Sequence, residues 1–343
     1  MLNRVCKDGW ERFFLKIILS SSLVLGIICG LTYHVAAAPQ TSAVRPKVAV
    51  SQVVEHPALN SVREGVLNAL KKAGIDAEIM FEVAQGSVPI AVQIAQKFSS
   101  WKPQVVIAIS TPTTQTMVKN IQGVPIVFAA VSDPEVAGLT LPHLKDFVTG
   151  VIDQPSVDMQ LTFFREVLPN IKRLGVIFNS GEANSSSFLA QLKPLCARLN
   201  ITLKEASVTK TSDVSSAMKS LIGDVDAIIL PQDNTVISAL DAVVAIAHTG
   251  QVPLLSSDTD LVKKGICVAI GFNHYEMGQE VGQMAAAILK GQPVSQFKIH
   301  TPQKMEKLIN KGLLKTHKAT LEKLGLPSVY SQEKPPAGVV LVE

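Results

Sequence analysis

The chain has 343 residues, 47% hydrophobic, 17% charged and 5% aromatic, with 21 Gly and 19 Pro, an ordinary globular composition that excludes disorder and collagen. At about 100 to 200 residues per domain, its length fits two packed units, each able to bury a core. Of the formal net charge of +4, +2 falls in the first 16 residues, and the small remainder excludes a strongly basic nucleic-acid surface.

The N-terminal stretch reads as an address. A net-positive start is followed by an uncharged apolar run from Ile17 to Tyr33 and then by Val35-Ala36-Ala37-Ala38, small residues suited to a signal peptidase. Residues 1–38 are therefore expected to be a signal peptide, cut after Ala37 or Ala38. Two alternatives remain open at this point: an uncleaved anchor, favoured by Pro39 hindering cleavage after Ala38, and lipidation at Cys29, which Ile28 just before it disfavours. Cys6 and Cys29 leave with the signal, so only Cys196 and Cys267 enter the exported part, where buried free thiols are expected rather than a disulfide framework.

From Lys47 onward, Val- and Ile-rich runs alternate with amphipathic stretches. Strands are expected at Lys47–Gln52, Asp76–Phe81, Gln104–Ser110, Pro125–Ala129, Phe147–Val151, Arg173–Asn179, Thr202–Ser207, Ala227–Pro231, Val252–Ser256 and Cys267–Ile270. Runs such as Val105-Val106-Ile107-Ala108-Ile109 do not alternate with polar residues, so helices should cover both faces of the sheet. Leu59, Val62, Val66, Leu67 and Leu70 mark a helix that stops at Lys71-Lys72 and Gly74. Met277, Val281, Met284, Ala285, Ile288 and Leu289 mark another, in which Gly278 and Gly282 would admit a close neighbour. Two α/β blocks emerge, Arg45 to Asp153 and Ser156 to Gly271, followed by a crossover helix and a Pro-rich tail.

Open α/β sheets bind ligands beyond the carboxyl ends of their strands. There the chain places Gln52, Glu55 and His56; Ser110 to Gln115, including Thr111 and Thr113; Ser132 and Asp133; Asn179, Glu182, Asn184 and Ser185; Gln232 to Thr235, including Asp233 and Asn234; and Ser256-Ser257-Asp258. Each cluster taken alone is explained as a helix N-cap. Six of them on corresponding edges of two blocks would face each other across a cleft. Helix-end amides suit a carboxylate, and Asp133, Glu182, Asp233 or Asp258 could hold an ammonium, so the set suits a zwitterion. Phe81, Phe128, Phe178 and Phe272 lie near strand ends, where a ring could stack on a ligand or simply fill the core.

Signals for other chemistries are thin. His56, His143, His248, His274, His300 and His317 show no metal-ligand spacing, and each is explained as a lone surface or core histidine. There is no Gly-x-Gly-x-x-Gly, Walker loop or Gly-x-Ser-x-Gly elbow, which disfavours familiar cofactor enzymes and serine hydrolases. No metal or cofactor is expected.

Glu55-His56-Pro57-Ala58-Leu59-Asn60, Ser110 to Gln115, Ser132-Asp133-Pro134, Asn179-Ser180-Gly181-Glu182-Ala183-Asn184-Ser185, Leu230 to Thr235 and Gly271-Phe272-Asn273-His274-Tyr275-Glu276-Met277-Gly278 occur in this order. Together they resemble the substrate-binding proteins of ABC importers of the tryptophan/tyrosine type, over about Lys47 to Leu326. Ser256-Ser257-Asp258 departs from the pattern, which has a small residue or Gly before the polar pair.

The resemblance implies a periplasmic-binding-protein fold of type I, with two doubly wound parallel-sheet lobes that the chain crosses between three times. Lobe 1 would be 45–152 plus 272–297, lobe 2 153–271 plus 298–326, and 327–343 a flexible tail. Hinges are expected near Asp153, Gly271 and Lys298. The implied function is an exported, monomeric, non-enzymatic receptor, in the periplasm or on the outer face of the cytoplasmic membrane. It would bind an aromatic or hydrophobic amino acid between its lobes and deliver it to an ABC permease. The expected contacts are Ser110, Thr111 and Thr113 to the carboxylate and Asp133, Glu182 or Asp258 to the ammonium. Gln52, Glu55, Ser132, Asn179, Asn184, Asp233, Asn234 and Phe272 would lie around them. A sensory module of the same fold, or an enzyme with a general base in the cleft, are the alternatives.

Overall fold

The computed structural model describes residues 45–331 and 335–343. The expected signal peptide and its alternatives therefore lie outside the described residues.

The first lobe is built on β1 (Lys47–Gln52), β2 (Glu78–Val83), β3 (Val105–Ile109), β4 (Ile126–Val131) and β5 (Val148–Ile152), all parallel and ordered β2-β1-β3-β4-β5. Every residue of β3 is buried, as the unbroken apolar run requires, because helices cover both faces. The crossovers are α1 (Pro57–Lys72), α2 (Val88–Trp101) and α3 (Thr111–Asn120).

The second lobe repeats this winding with β6 (Arg173–Asn179), β7 (Thr202–Val208), β8 (Ala227–Leu230), β9 (Leu254–Ser256) and β10 (Val268–Gly271). Its sheet runs β12-β11-β10-β9-β8-β6-β7, so in both lobes the order of winding, not the strand direction, reverses between the first and third strands. Its helices include α4 (Val157–Val167), α5 (Ala183–Arg198), α6 (Val214–Leu221), the short α7 (Asn234–Ile237) and α8 (Leu240–Thr249). Cys196 on α5 and Cys267 before β10 are buried free thiols, which burial pushes to about 11 and about 12.

The chain leaves lobe 1 after β5, returns after β10 to form α9 (His274–Leu289), and leaves again before β11 (Glu306–Asn310). Helix α9 packs on α1 at glycine-permitted distance: a Cβ on Gly278 would lie 2.1 Å from the Val62 carbonyl oxygen, and one on Gly282 2.6 Å from that of Val66. Both lobes cluster as one unit, Arg45–Glu343.

Two features differ from the sequence expectation. Strand β11 runs antiparallel to β10, closing an otherwise parallel sheet. The segment 327–343, expected as a flexible tail, instead carries β12 (Val339–Val342) paired in parallel with β11, after a turn in which Tyr330 is buried. An exposed strand edge is a liability, and the run Val339-Val340-Leu341-Val342 covers the one β11 would otherwise present. Among the described residues, no helix is long and apolar enough to cross a membrane.

Candidate functional site

The strand ends of the two lobes meet around one inner cavity of about 20 Å³. Thr111 and Ser132 reach it from lobe 1, Asn184, Gln232, Asn234 and Asp258 from lobe 2, and Asp153 and His274 from the points where the chain crosses. Ala58, Leu59, Ala130 and Ile237 supply its apolar wall, and the two rings on it are those of His56 and His274. A wider outer cleft of about 1000 Å³ lies between the same lobes, with Glu55 and Thr113 on one side and Asn179, Glu182 and Lys210 on the other.

The lobe 1 wall is held under backbone strain. Ser110, which opens α3, has φ 91° and ψ 156°, a region that normally needs glycine, and Ala130 at the end of β4 has φ 54°. The Ser110 hydroxyl bonds Thr113 Oγ1 at 3.1 Å instead of capping the helix, so the first-turn amides of α3 have no side-chain cap. The Oγ1 of Thr111 beside them is buried and has no partner.

The lobe 2 wall closes on itself. Glu182 Oε1 accepts from the amide and hydroxyl of Thr235, and Oε2 accepts from the amide and side chain of Asn234 and from Asn184 Nδ2. Asp233 accepts from the Asn179 amide at 2.6 Å, from Ser185 Oγ at 2.6 Å and from the Val236 amide at 2.8 Å. Burial and the neighbouring Glu182 charge hold the Asp233 carboxyl well above its ordinary range. Two carboxylates thus cap one short helix with their oxygens fully engaged.

The lobes also touch directly. Ser132 Oγ donates to Gln232 Oε1 at 3.2 Å, and Ser187 Oγ donates to Asp133 Oδ2 at 2.5 Å. Asp133 Oδ1 meanwhile accepts from the amides of Glu135 and Val136.

At the crossings, the buried His274 ring lies 2.9 Å from Asp153 Oδ2 through Nε2 and 2.8 Å from Asp260 Oδ2 through Nδ1, with Asp258 Oδ1 at 3.7 Å. Burial alone would lower the His274 pKa, but the Asp153 and Asp258 charges and the hydrogen bonds the ring donates to Asp153 and Asp260 hold it well above the ordinary value. Burial, opposed by His274 and reinforced by Asp260 and Asp153, pushes Asp258 up to about 7. His56 is lowered to about 4, chiefly by burial and then by the His274 charge. Asp258, Asp260 and His274 are the one group among the described residues whose donor atoms lie close enough to share a metal. Both ring nitrogens already face carboxylates, which is the arrangement of an ion-paired imidazolium.

Of the expected site residues, Thr111, Ser132, Asn184, Asn234 and Asp258 line the inner cavity, and Glu55, Thr113, Asn179 and Glu182 line the outer cleft. Asp133 and Asp233 are consumed as described. Gln52 is spent inside lobe 1, where its Nε2 donates to the Val54 carbonyl and to Asn60 Oδ1. Ser110 shapes the wall without lining either space. Phe272 is a core residue of lobe 1, as Phe128 and Phe178 are core residues of their lobes, and Phe81 lies under Arg63. Asp153 and His274 were not among the expected contacts, although the strand-end rule applied to β5 and β10 reaches both.

Five buried side-chain atoms without a hydrogen-bond partner belong to residues lining the inner cavity: Thr111 Oγ1, Asp153 Oδ1, Asn184 Oδ1, Gln232 Nε2 and His56 Nδ1. Buried polar atoms are nearly always paired. Their convergence marks a place where a further polar partner, a water or a ligand, would complete the bonding.

Comparison with known proteins agrees with this architecture. The family described as ABC transporter substrate binding protein matches residues 47–325, and the chain belongs to it. A curated relative, the tyrosine-binding protein of Clostridioides difficile, is 32% identical over 274 residues, covering 78% of this chain and 79% of that protein. A Streptococcus pneumoniae ABC domain solved in complex with L-Trp is 25% identical with TM-score 0.76, covering 85% of this chain and all of that one (100%). A ligand-free, open substrate-binding protein from Clostridium difficile is 31% identical with TM-score 0.62, covering 87% and 99%.

Proposed function

We propose that this chain is the exported, non-catalytic receptor of an ABC importer, capturing the zwitterion of a hydrophobic or aromatic amino acid in the inner cavity and passing it to the membrane permease. The observation that carries the reading is the chemistry of the unpartnered atoms. Asp153 Oδ1 and Asn184 Oδ1 are acceptors suited to an α-ammonium, while Gln232 Nε2 is a donor suited to an α-carboxylate, with Thr111 Oγ1 and the uncapped amides of α3 beside it. Ala58, Leu59, Ala130 and Ile237 are left to receive an apolar side chain.

The contacts come from both lobes, which stand closed on a space of about 20 Å³, so the lobes part to admit the ligand and the ligand then favours closure by its differential affinity. The Ser132–Gln232 and Asp133–Ser187 bonds add to it. The higher TM-score against the L-Trp complex than against the open, ligand-free relative fits lobes drawn together. The names of the two relatives support tyrosine or tryptophan as first candidates.

Titration calorimetry and melting shifts with the standard L-amino acids test the reading, because a ligand that binds only the native state raises its stability. Saturable binding of an L-amino acid without chemical change to it is the expected result. No binding by any of them, or turnover of a bound one, contradicts it. Intact mass of the exported protein tests the leader: a chain beginning after Ala37 or Ala38 is expected.

A further inference from the structure

Resting on the amino-acid reading above, we propose that His274 is a positioning residue for the ligand's ammonium, holding Asp153 so that Oδ1 faces the cavity and tying that carboxylate to lobe 2 through Asp260. Between two ionised carboxylates the ring has to donate twice. Nε2 lies 2.9 Å from Asp153 Oδ2 and Nδ1 2.8 Å from Asp260 Oδ2, and only an imidazolium carries a proton on both nitrogens.

One oxygen of Asp153 is thereby fixed, which sets the direction of the other. That other oxygen, Oδ1, is buried, has no hydrogen-bond partner and belongs to a residue lining the cavity. The Asp153 amide also bonds the Val131 carbonyl at 2.9 Å, so backbone and carboxylate are held from two sides.

The placement couples this arrangement to the lobes. Asp153 follows β5 at the first crossing, His274 opens α9 after the second, and Asp260 sits in the lobe 2 turn Thr259–Lys264. Close by, Thr259 Oγ1 donates to the Phe272 carbonyl at 3.1 Å. A carboxylate pinned at the crossings is ordered before a ligand arrives, which lowers the ordering cost of binding. The charge is right as well: Asp153, Asp258 and Asp260 face one imidazolium, and no Lys or Arg lines the inner cavity.

The test compares the tightest-binding L-amino acid of the panel with its deamino analogue, which keeps the carboxylate and side chain and lacks the ammonium. In the wild type the amino acid is expected to bind at least ~100-fold more tightly. In His274→Gln that ratio is expected to fall to ~10-fold or less, because the amino acid loses far more affinity than the deamino acid does. A merely structural role would weaken both ligands alike. Asp260→Asn, which alters a half-buried residue outside the cavity, is expected to lower the ratio in the same direction by a smaller factor, and it decides the matter if His274→Gln does not fold. An unchanged ratio in the folded variants, or equal loss for both ligands, overturns the inference while the amino-acid reading stands. Absence of amino-acid binding by the wild type overturns both.

Discussion

The acidic web of lobe 2 and the cluster at the lobe crossings use the same residue types to different ends. In the web, Glu182 and Asp233 direct every carboxylate oxygen at an amide, hydroxyl or side-chain donor of their own lobe. In the cluster, Asp153 spends one oxygen on His274 and leaves the other open to the cavity. What separates a helix cap from a binding group is therefore whether the protein itself completes the bonding, since both kinds of carboxylate stand close to a strand end.

The largest effect that sharpens this contrast is on binding. Asp153→Asn removes the charge that would meet the ammonium, and affinity for the amino acid is expected to fall by ~100-fold or more, measured by calorimetry on protein whose far-UV spectrum is unchanged. Retained affinity would place the ammonium elsewhere.

Next comes stability. Asp233→Ala strands the Asn179 and Val236 amides and the Ser185 hydroxyl, and is expected to cost about 3 kcal/mol, read from the urea midpoint. The folded fraction should bind the ligand within about threefold of wild type, because neither Asp233 nor the donors it engages line the inner cavity. A variant that stays stable but loses binding would reverse the roles assigned to the two regions.

The smallest effect is in the pH profile of the unliganded protein. Asp258 has its pKa raised from 3.8 to about 7, so between these values the folded state holds a proton that the unfolded chain has released. Its contribution to stability is therefore lost as pH rises through that window. His56 runs the other way: lowered from 6.5 to about 4, it contributes stability that is present above 6.5 and lost as pH falls toward 4. Asp258→Asn is expected to remove a downward slope on the order of 1 kcal/mol per pH unit, measured by urea melts from pH 5 to 7. An identical slope in the variant would mean that Asp258 is ionised throughout.

Much of the fold was legible in the sequence because it is buried. The ten expected strands all form, within a few residues; eight are largely buried apolar runs that leave little other choice, while the edge strands β2 and β7 stay partly exposed. Strands β11 and β12 were not legible: Glu306-Lys307 carries no apolar run, and Val339 to Val342 becomes a strand only because β11 presents an edge. The position of the cleft could be read from the strand-end rule, which placed Thr111 and Asp258 on opposite walls of what is one cavity. Its working atoms could not. Asn184 and Asp233 look alike as caps until their partners are known, and the His274 cluster joins residues 153, 258, 260 and 274, which no local spacing relates. Phe272 illustrates the opposite failure, since a ring at a strand end served the core.

The most direct measurement is a crystal structure of the complex with the tightest-binding amino acid. The account predicts the α-ammonium within hydrogen-bonding distance of Asp153 Oδ1 and Asn184 Oδ1, and the α-carboxylate against Thr111 and Gln232. A ligand seated in the outer cleft between Glu55 and Lys210, with the inner cavity empty of it, would contradict the account.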